Sequence, residues 1–292
     1  MLRGKGTGSG PTGWSDAIRA SGVRHAGRVS DLDDLVAEWG LRPDGTPLHT
    51  GRATLLPVRS GGAAAMLRIA VEDVPGHLVL RRWNGEGAVR LLRADPHRRA
   101  MLLERLRPET LDALDDIAAC EVVAGLYGRL HVPAMPQLRS LNELLAAWAD
   151  DFRALPRSAP IPRRLIEQAV ALCRDLSTEP ADHVLHGNLH YGNVLAADRA
   201  PWLAISPTPL NGHPAFELAP MLWGRWDELT DHVRGGVQRR FYTLVDATGS
   251  DEDRARSWVL VRVVRAAARA LADDHDAGTL TRYVTLAKAV QE

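Results

Sequence analysis

"HVLHGNLHYGNVL", residues 183–195, is the stretch on which the reading of this chain turns. Its ends, "HVLHG" and "NVLAAD" (193–198), read as short strands, and a third run of the same kind, "WLAIS" (202–206), follows. Apolar strand ends bury and fix a loop, so the polar residues between them are held in place. The loop offers two amides five residues apart, Asn188 and Asn193, with Gly187 at the turn. His183, His186 and His190 invite a metal reading. Their spacing, broken by Gly187, is not that of one helix face, and no cysteine or second acid stands close, so loop packing is the expectation.

Outward from this loop the chain changes character. Residues 31–40, "DLDDLVAEWG", have helical periodicity, acids in the first turn and a closing glycine. "RATLLPVR" and "AAAMLRIAV" are strand-like around the turn "SGG", and "PGHLVLRRW" reads as a short helix. "GAVRLLRAD" and "RRAMLLERL" are two more strands around "DPH". From Glu109 on, "ETLDALDDIAACEVVAGLYGRL", "LNELLAAWADDF" and "PRRLIEQAVALCRDL" are amphipathic helices separated by proline-rich loops. Helices return after Ala215, including "FELAPMLWGRWDELTDHV" and "RARSWVLVRVVRAAARALADDH". The fold class is α+β: a small antiparallel sheet lobe over 14–106, a larger helical lobe over 107–292, and a flexible tail over 1–13.

The 292 residues suffice for two modest cores, and 36 basic residues balance 36 acidic ones. Zero net charge removes the bulk electrostatic case for nucleic acid or membrane as partners. Arg81, Arg82, Arg90, Arg93, Arg98 and Arg99 are interleaved with apolar residues and read as solvated faces. The two cysteines, Cys120 and Cys173, sit in apolar helical segments, as buried free thiols of a reducing compartment do. No apolar run reaches the roughly 18 residues of a membrane span. The first residues lack the apolar core of a signal peptide, so the expected location is cytoplasmic.

Two long stretches carry a family resemblance: "GAVRLLRADPHRRAMLLERL" (87–106) and "VLHGNLHYGNVLAADRAPWLAISPTPLNGHPAFELAPMLWGRWDEL" (184–229). Together they resemble the aminoglycoside phosphotransferases, most nearly the streptomycin and hydroxyurea phosphotransferase branch. The resemblance implies a two-lobed, protein-kinase-like fold, with a nucleotide between the lobes and the acceptor on the helical lobe. It puts Glu104 and Leu106 in the segment that meets adenine, and Arg68 where a lysine grips the phosphates. Trp223, Trp226 and Asp227 fall where the family binds its acceptor; Asp227 and Glu228 offer attraction to a polycationic one.

Against the family's H-G-D-x-x-x-x-N, this loop reads His186-Gly187-Asn188 and ends at Asn193. Ser206 replaces the metal-holding acid, and Gly76 falls where the helix glutamate belongs. His213 and Glu217 replace two aspartates in "GHPAFELAP". Asparagine is no base, a deficit of about 10²–10⁴-fold, and Arg68 is not equivalent to lysine. These departures lead to the expectation of a pseudokinase. It would require no cofactor and no metal, and nucleotide would bind without magnesium near Arg68, Glu104, Leu106, Asn193 and Ser206. Its partner would be a small molecule or another enzyme. Asn188, His190 and His213 are the remaining candidates for catalysis. Two alternatives stand beside it: other chemistry in the same cleft, and a residual small-molecule hydroxyl kinase.

Overall fold

The structure, a computed structural model, describes residues 29–229, 232–273, 275 and 277–291. The tail expected over 1–13 lies outside them. The chain divides into two compact units, one comprising the described residues up to Asp73 with Leu92–Glu109, the other Val74–Leu91 with Thr110 onward.

The first unit is a six-stranded antiparallel sheet with one helix. Helix α1 is Val29–Glu38. Strands β1 (Arg42–Pro43), β2 (Leu48–His49), β3 (Ala53–Ser60), β4 (Ala63–Ala70), β5 (Leu91–Asp95) and β6 (Ala100–Glu104) run in the order β1-β3-β4-β6-β5, with β2 also on β3. Ser60 pairs with Ala63 across Gly61 and Gly62, which have φ of +56° and +87°. A turn with two left-handed residues matches the twist of the flanking strands, and glycine takes it without strain.

Alternation along the strands builds the core. Leu32, Leu35, Trp39 and Leu41 pack on Leu56, Val58, Ala65, Leu67, Ile69, Ala100 and Leu102. Since Leu67 and Ile69 face this core, Arg68 between them stands on the opposite face of β4.

The second unit is mainly helical: α2 (Gly76–Trp83), α3 (Asp116–Leu130), α4 (Leu141–Ala154), α5 (Arg163–Leu176), α6 (Ala219–Trp223), α7 (Val233–Thr248), α8 (Glu252–Ala272) and α9 (Ala277–Gln291). Although α2 lies between sheet strands in sequence, its buried Trp83 donates to Leu130 O at 2.8 Å and so ties it here. Two small two-stranded antiparallel sheets complete the unit, β7 (His183–Leu185) with β10 (Leu210–Gly212), and β8 (Val194–Ala196) with β9 (Trp202–Ala204).

The stretch from Phe216 to Val233, read as one helix, is broken. It forms a 3-10 turn at Pro214–Leu218, then α6, then a second 3-10 turn at Trp226–Leu229. Gly224 is extended and Arg225 takes φ +48°. A Cβ on Gly224 would sit 2.7 Å from the Tyr191 ring, so the break is also a close approach to the loop.

Candidate functional site

The loop from His186 to Asn193 is fixed at both edges by backbone bonds. Thr208 N donates to His186 O and Ile205 N to Asn193 O, both at 2.9 Å. Gly187 has φ +80°, and a Cβ there would fall 2.0 Å from Thr208 O, so no other residue fits. Ser206 also holds a left-handed φ of +55°; strain of this kind, about 1–3 kcal/mol, persists where the surroundings impose it.

Beneath the loop lies a buried charged network. Glu217, fully buried, accepts His186 N at 2.9 Å through Oε2 and Gly187 N at 2.6 Å through Oε1. His131 Nε2 lies 3.2 Å from the same Oε2. Arg262 donates to Phe216 O at 2.7 Å and to Gly187 O, with its guanidinium 4.1 Å from the Phe216 ring centroid. Burial alone would raise the Glu217 pKa. The hydrogen bond from His131, with the charges of His131, His186 and Arg262, holds it below its ordinary value. Burial pulls Arg262 down to about 10, against the pull of Glu217. A carboxylate that accepts two backbone N–H bonds beside a buried guanidinium is an ionised anchor for the loop.

His186 is likewise buried, and its pKa drops to about 4 through desolvation. Its Nδ1 accepts Asn188 N at 3.3 Å and its Nε2 meets Ile205 O at 3.0 Å, so the neutral ring carries its proton on Nε2. Trp83 stacks on it at 6.1 Å. At the far end of the loop Tyr191 donates to Asp116 Oδ1 at 3.1 Å, and buried Arg240 holds Asp116 Oδ2 at 2.8 Å.

The expected site residues fall as follows. Asn193 Nδ2 donates to the backbone carbonyl of Asn188 at 2.8 Å, which ties the two ends of the loop and leaves the Asn193 side-chain carbonyl oxygen to accept. Among the described residues the side chains of Asn188 and Ser206 make no hydrogen bond. His190 and His213 each cap a short 3-10 turn, His190 Nδ1 accepting Gly192 N and His213 Nδ1 accepting Ala215 N, both at 3.2 Å. His213 stacks on buried Trp258 at 5.9 Å, so one nitrogen and one face are already engaged. Desolvation lowers its pKa.

Trp223 packs edge-on against Tyr283 at 5.7 Å, while Trp226 is half-buried at the second 3-10 turn. Asp227 pairs with Arg282 at 3.2 Å and Glu228 with Arg225, so arginines offset the acids proposed to draw a cation. In the sheet unit, Arg68 is half-buried, opposite Leu55 and Met101 on its neighbours. It has no ion pair among the described residues. Desolvation, then the charge of Arg52, lowers its pKa. Glu104 ends β6 and the half-buried Leu106 lies two residues beyond it.

No group of three or more His, Cys, Asp or Glu able to hold a metal occurs among the described residues. No described helix is long and apolar enough to cross a membrane.

Sequence reasoning noted Glu217 only as a changed acid and passed over His131 and Arg262. A signal was present. A charge inside "FELAP" and one inside "VLVRVVRAAARAL" sit in apolar runs that bury them, and buried charges need partners.

Residues 38–274 match the family model described as aminoglycoside/hydroxyurea antibiotic resistance kinase. The chain belongs to this family. A streptomycin 6-kinase of Streptomyces glaucescens is 41% identical over 89% of this chain and 88% of its own length. A hydroxyurea phosphotransferase of Kitasatospora aureofaciens is 41% identical over 85% of this chain and 76% of its own. Among solved structures, the aminoglycoside phosphotransferase APH(4)-Ia in ternary complex with AMP-PNP and hygromycin B superposes with a TM-score of 0.63, covering 89% of this chain and 98% of that one at 16% identity. That likeness shows the kinase-like fold alone.

Membership of this kinase family corrects the pseudokinase expectation. Relatives about as similar as these, over most of the chain, are kinases by name. The expectation that no cofactor is required loses its support with it. The error was to weigh four side chains and not the frame. Phosphoryl transfer rests mainly on positioning and charge stabilisation, and in this chain a buried carboxylate holds the loop backbone.

Proposed function

We propose that this chain is a small-molecule hydroxyl kinase of the aminoglycoside/hydroxyurea family, with ATP as phosphoryl donor. The observation that supports it is the 41% identity to named kinases over 85–89% of the chain. A loop whose backbone is clamped at Gly187 is consistent with it.

Arg68 suits a phosphate contact: a half-buried guanidinium with no carboxylate partner among the described residues gains a strong, charge-assisted bond from an anion. Asn188 offers Oδ1 to the acceptor O–H and so orients its oxygen. In the loose transition state of phosphoryl transfer the hydroxyl keeps its proton until late. The new bond joins the acceptor oxygen to the γ-phosphorus, the bond to the β–γ bridging oxygen breaks, and the proton passes to an oxygen of the transferred group. Asn193, Ser206 and Asn188 are neutral donors. They do not fit a tightly held magnesium ion, which favours carboxylates, and no step here runs through one. The acceptor is a polar, hydroxyl-bearing molecule such as streptomycin or hydroxyurea, the substrates in the relatives' names.

Incubating the protein with ATP and magnesium against streptomycin, hydroxyurea and related aminocyclitols tests this by mass spectrometry. A product heavier by one phosphoryl group, with matching ADP, is expected. Unchanged acceptors and undiminished ATP across the panel would refute it.

A further inference from the structure

We propose that His131 is a positioning residue for the loop, acting through Glu217. The inference rests on the kinase reading for its rate prediction and on geometry for the rest. An ionised Glu217 can only accept; both of its oxygens already receive backbone N–H groups of His186 and Gly187. His131 Nε2, 3.2 Å from Oε2, is therefore the donor of a third bond.

The ring is aimed by its surroundings. Tyr127, one helical turn earlier, stacks on it at 5.0 Å and 9°. The same Tyr127 donates its hydroxyl to Glu217 O at 2.7 Å, so one face of α3 grips both ends of Glu217. His183 meets the His131 ring edge-on at 6.3 Å and is itself held by Asp182 at 2.6 Å. His131, Glu217 and Gly187 thus form a chain from the end of α3 to the peptide preceding Asn188. Loss of the His131 donor leaves Oε2 held by the His186 amide alone, so the carboxylate shifts and the His186 and Gly187 amides move with it. Asn188 then presents its side chain away from the acceptor oxygen, with no group that touches nucleotide altered.

The test compares His131→Leu, which removes the donor, with His131→Gln, whose amide nitrogen reaches the place of Nε2. In steady-state kinetics His131→Leu is expected to lower kcat about 10²-fold, the scale of a misplacement near 1 Å, with KM for ATP little changed. His131→Gln restores most of that loss. Hydrogen exchange read by mass spectrometry supplies an arm independent of turnover. The His186 and Gly187 amides exchange about tenfold faster in His131→Leu, on the order of one lost hydrogen bond, while the β3–β4 hairpin amides are unchanged. Unchanged exchange at the two amides overturns the proposal, even if the wild type proves to phosphorylate nothing. Equal defects in the Leu and Gln variants overturn it too, since a packing role and not donation would then explain both.

Discussion

Glu217 accepts the Gly187 amide at 2.6 Å from a fully buried position beneath the loop. Arg262 takes the carbonyl of the same residue, so a single peptide segment is held by buried ions of opposite sign. This clamp fixes the backbone on which Asn188 is mounted. Its geometry makes the position of Gly187 as demanding as that of any side chain in the loop.

Gly187→Ala is the sharpest probe of that demand. The new Cβ would overlap Thr208 O at a φ of +80°. Left-handed strain and overpacking together set a cost of about 2–6 kcal/mol. Urea unfolding should show this loss, and surviving folded protein should have little transferase activity.

Acid should destabilise the protein early. Above pH 6.5 both folded and unfolded chains hold a neutral His186; below it the unfolded chain takes up a proton that the folded one refuses until about pH 4. Stability is therefore lost as pH falls from 6.5 to about 4, by about 3 kcal/mol at about 1.4 kcal/mol per unit. The depressed pKa of Glu217 adds loss only as pH falls below its ordinary 4.5. Denaturation curves between pH 4 and 8 should show the slope, and the His186 ring should still titrate as neutral by NMR at pH 5.

Arg68→Met separates function from stability. Removing a half-buried cation that has no ion pair among the described residues should leave Tm unchanged or raise it, because desolvation disfavours its charged form in the fold. Loss of a charge-assisted bond to phosphate, about 1.5–3 kcal/mol, should raise KM for ATP about 10–100-fold. Kinetics and a melting curve on one preparation check both.

Putting acids back should speed the chemistry. Asn188→Asp supplies a base, worth about 10²–10⁴-fold, and Asn188→Asp with Ser206→Asp should lower the magnesium concentration needed for half-maximal rate. Ser206 already sits at φ +55°, a region aspartate enters more readily than most residues, so the backbone should accept the change. A fall in kcat for Asn188→Asp would mean that the amide itself orients the acceptor through its N–H.

Much of the architecture was legible in the sequence because its signals are local. The "SGG" turn, the period-two strands β3 and β4, and the helices at 141–154 and 163–176 follow from residue pattern alone. The break at Gly224-Arg225 was not, since it depends on the approach of Tyr191 from a distant loop. The polar loop was found from Asn188 and Asn193, yet its support was not. Glu217, His131 and Arg262 are 86 and 45 residues from one another along the chain and meet only in three dimensions. The pseudokinase expectation failed for a related reason: side-chain losses are visible residue by residue, whereas the frame that holds a loop forms only in three dimensions.

One measurement bears most directly on the proposed activity: transfer of the γ-phosphoryl of labelled ATP to streptomycin or hydroxyurea by the wild-type chain, with magnesium present. A labelled acceptor that accumulates with enzyme and time is expected of a kinase, with a slower rate in the Gly187→Ala protein. Label that stays in ATP with every acceptor tried would contradict it.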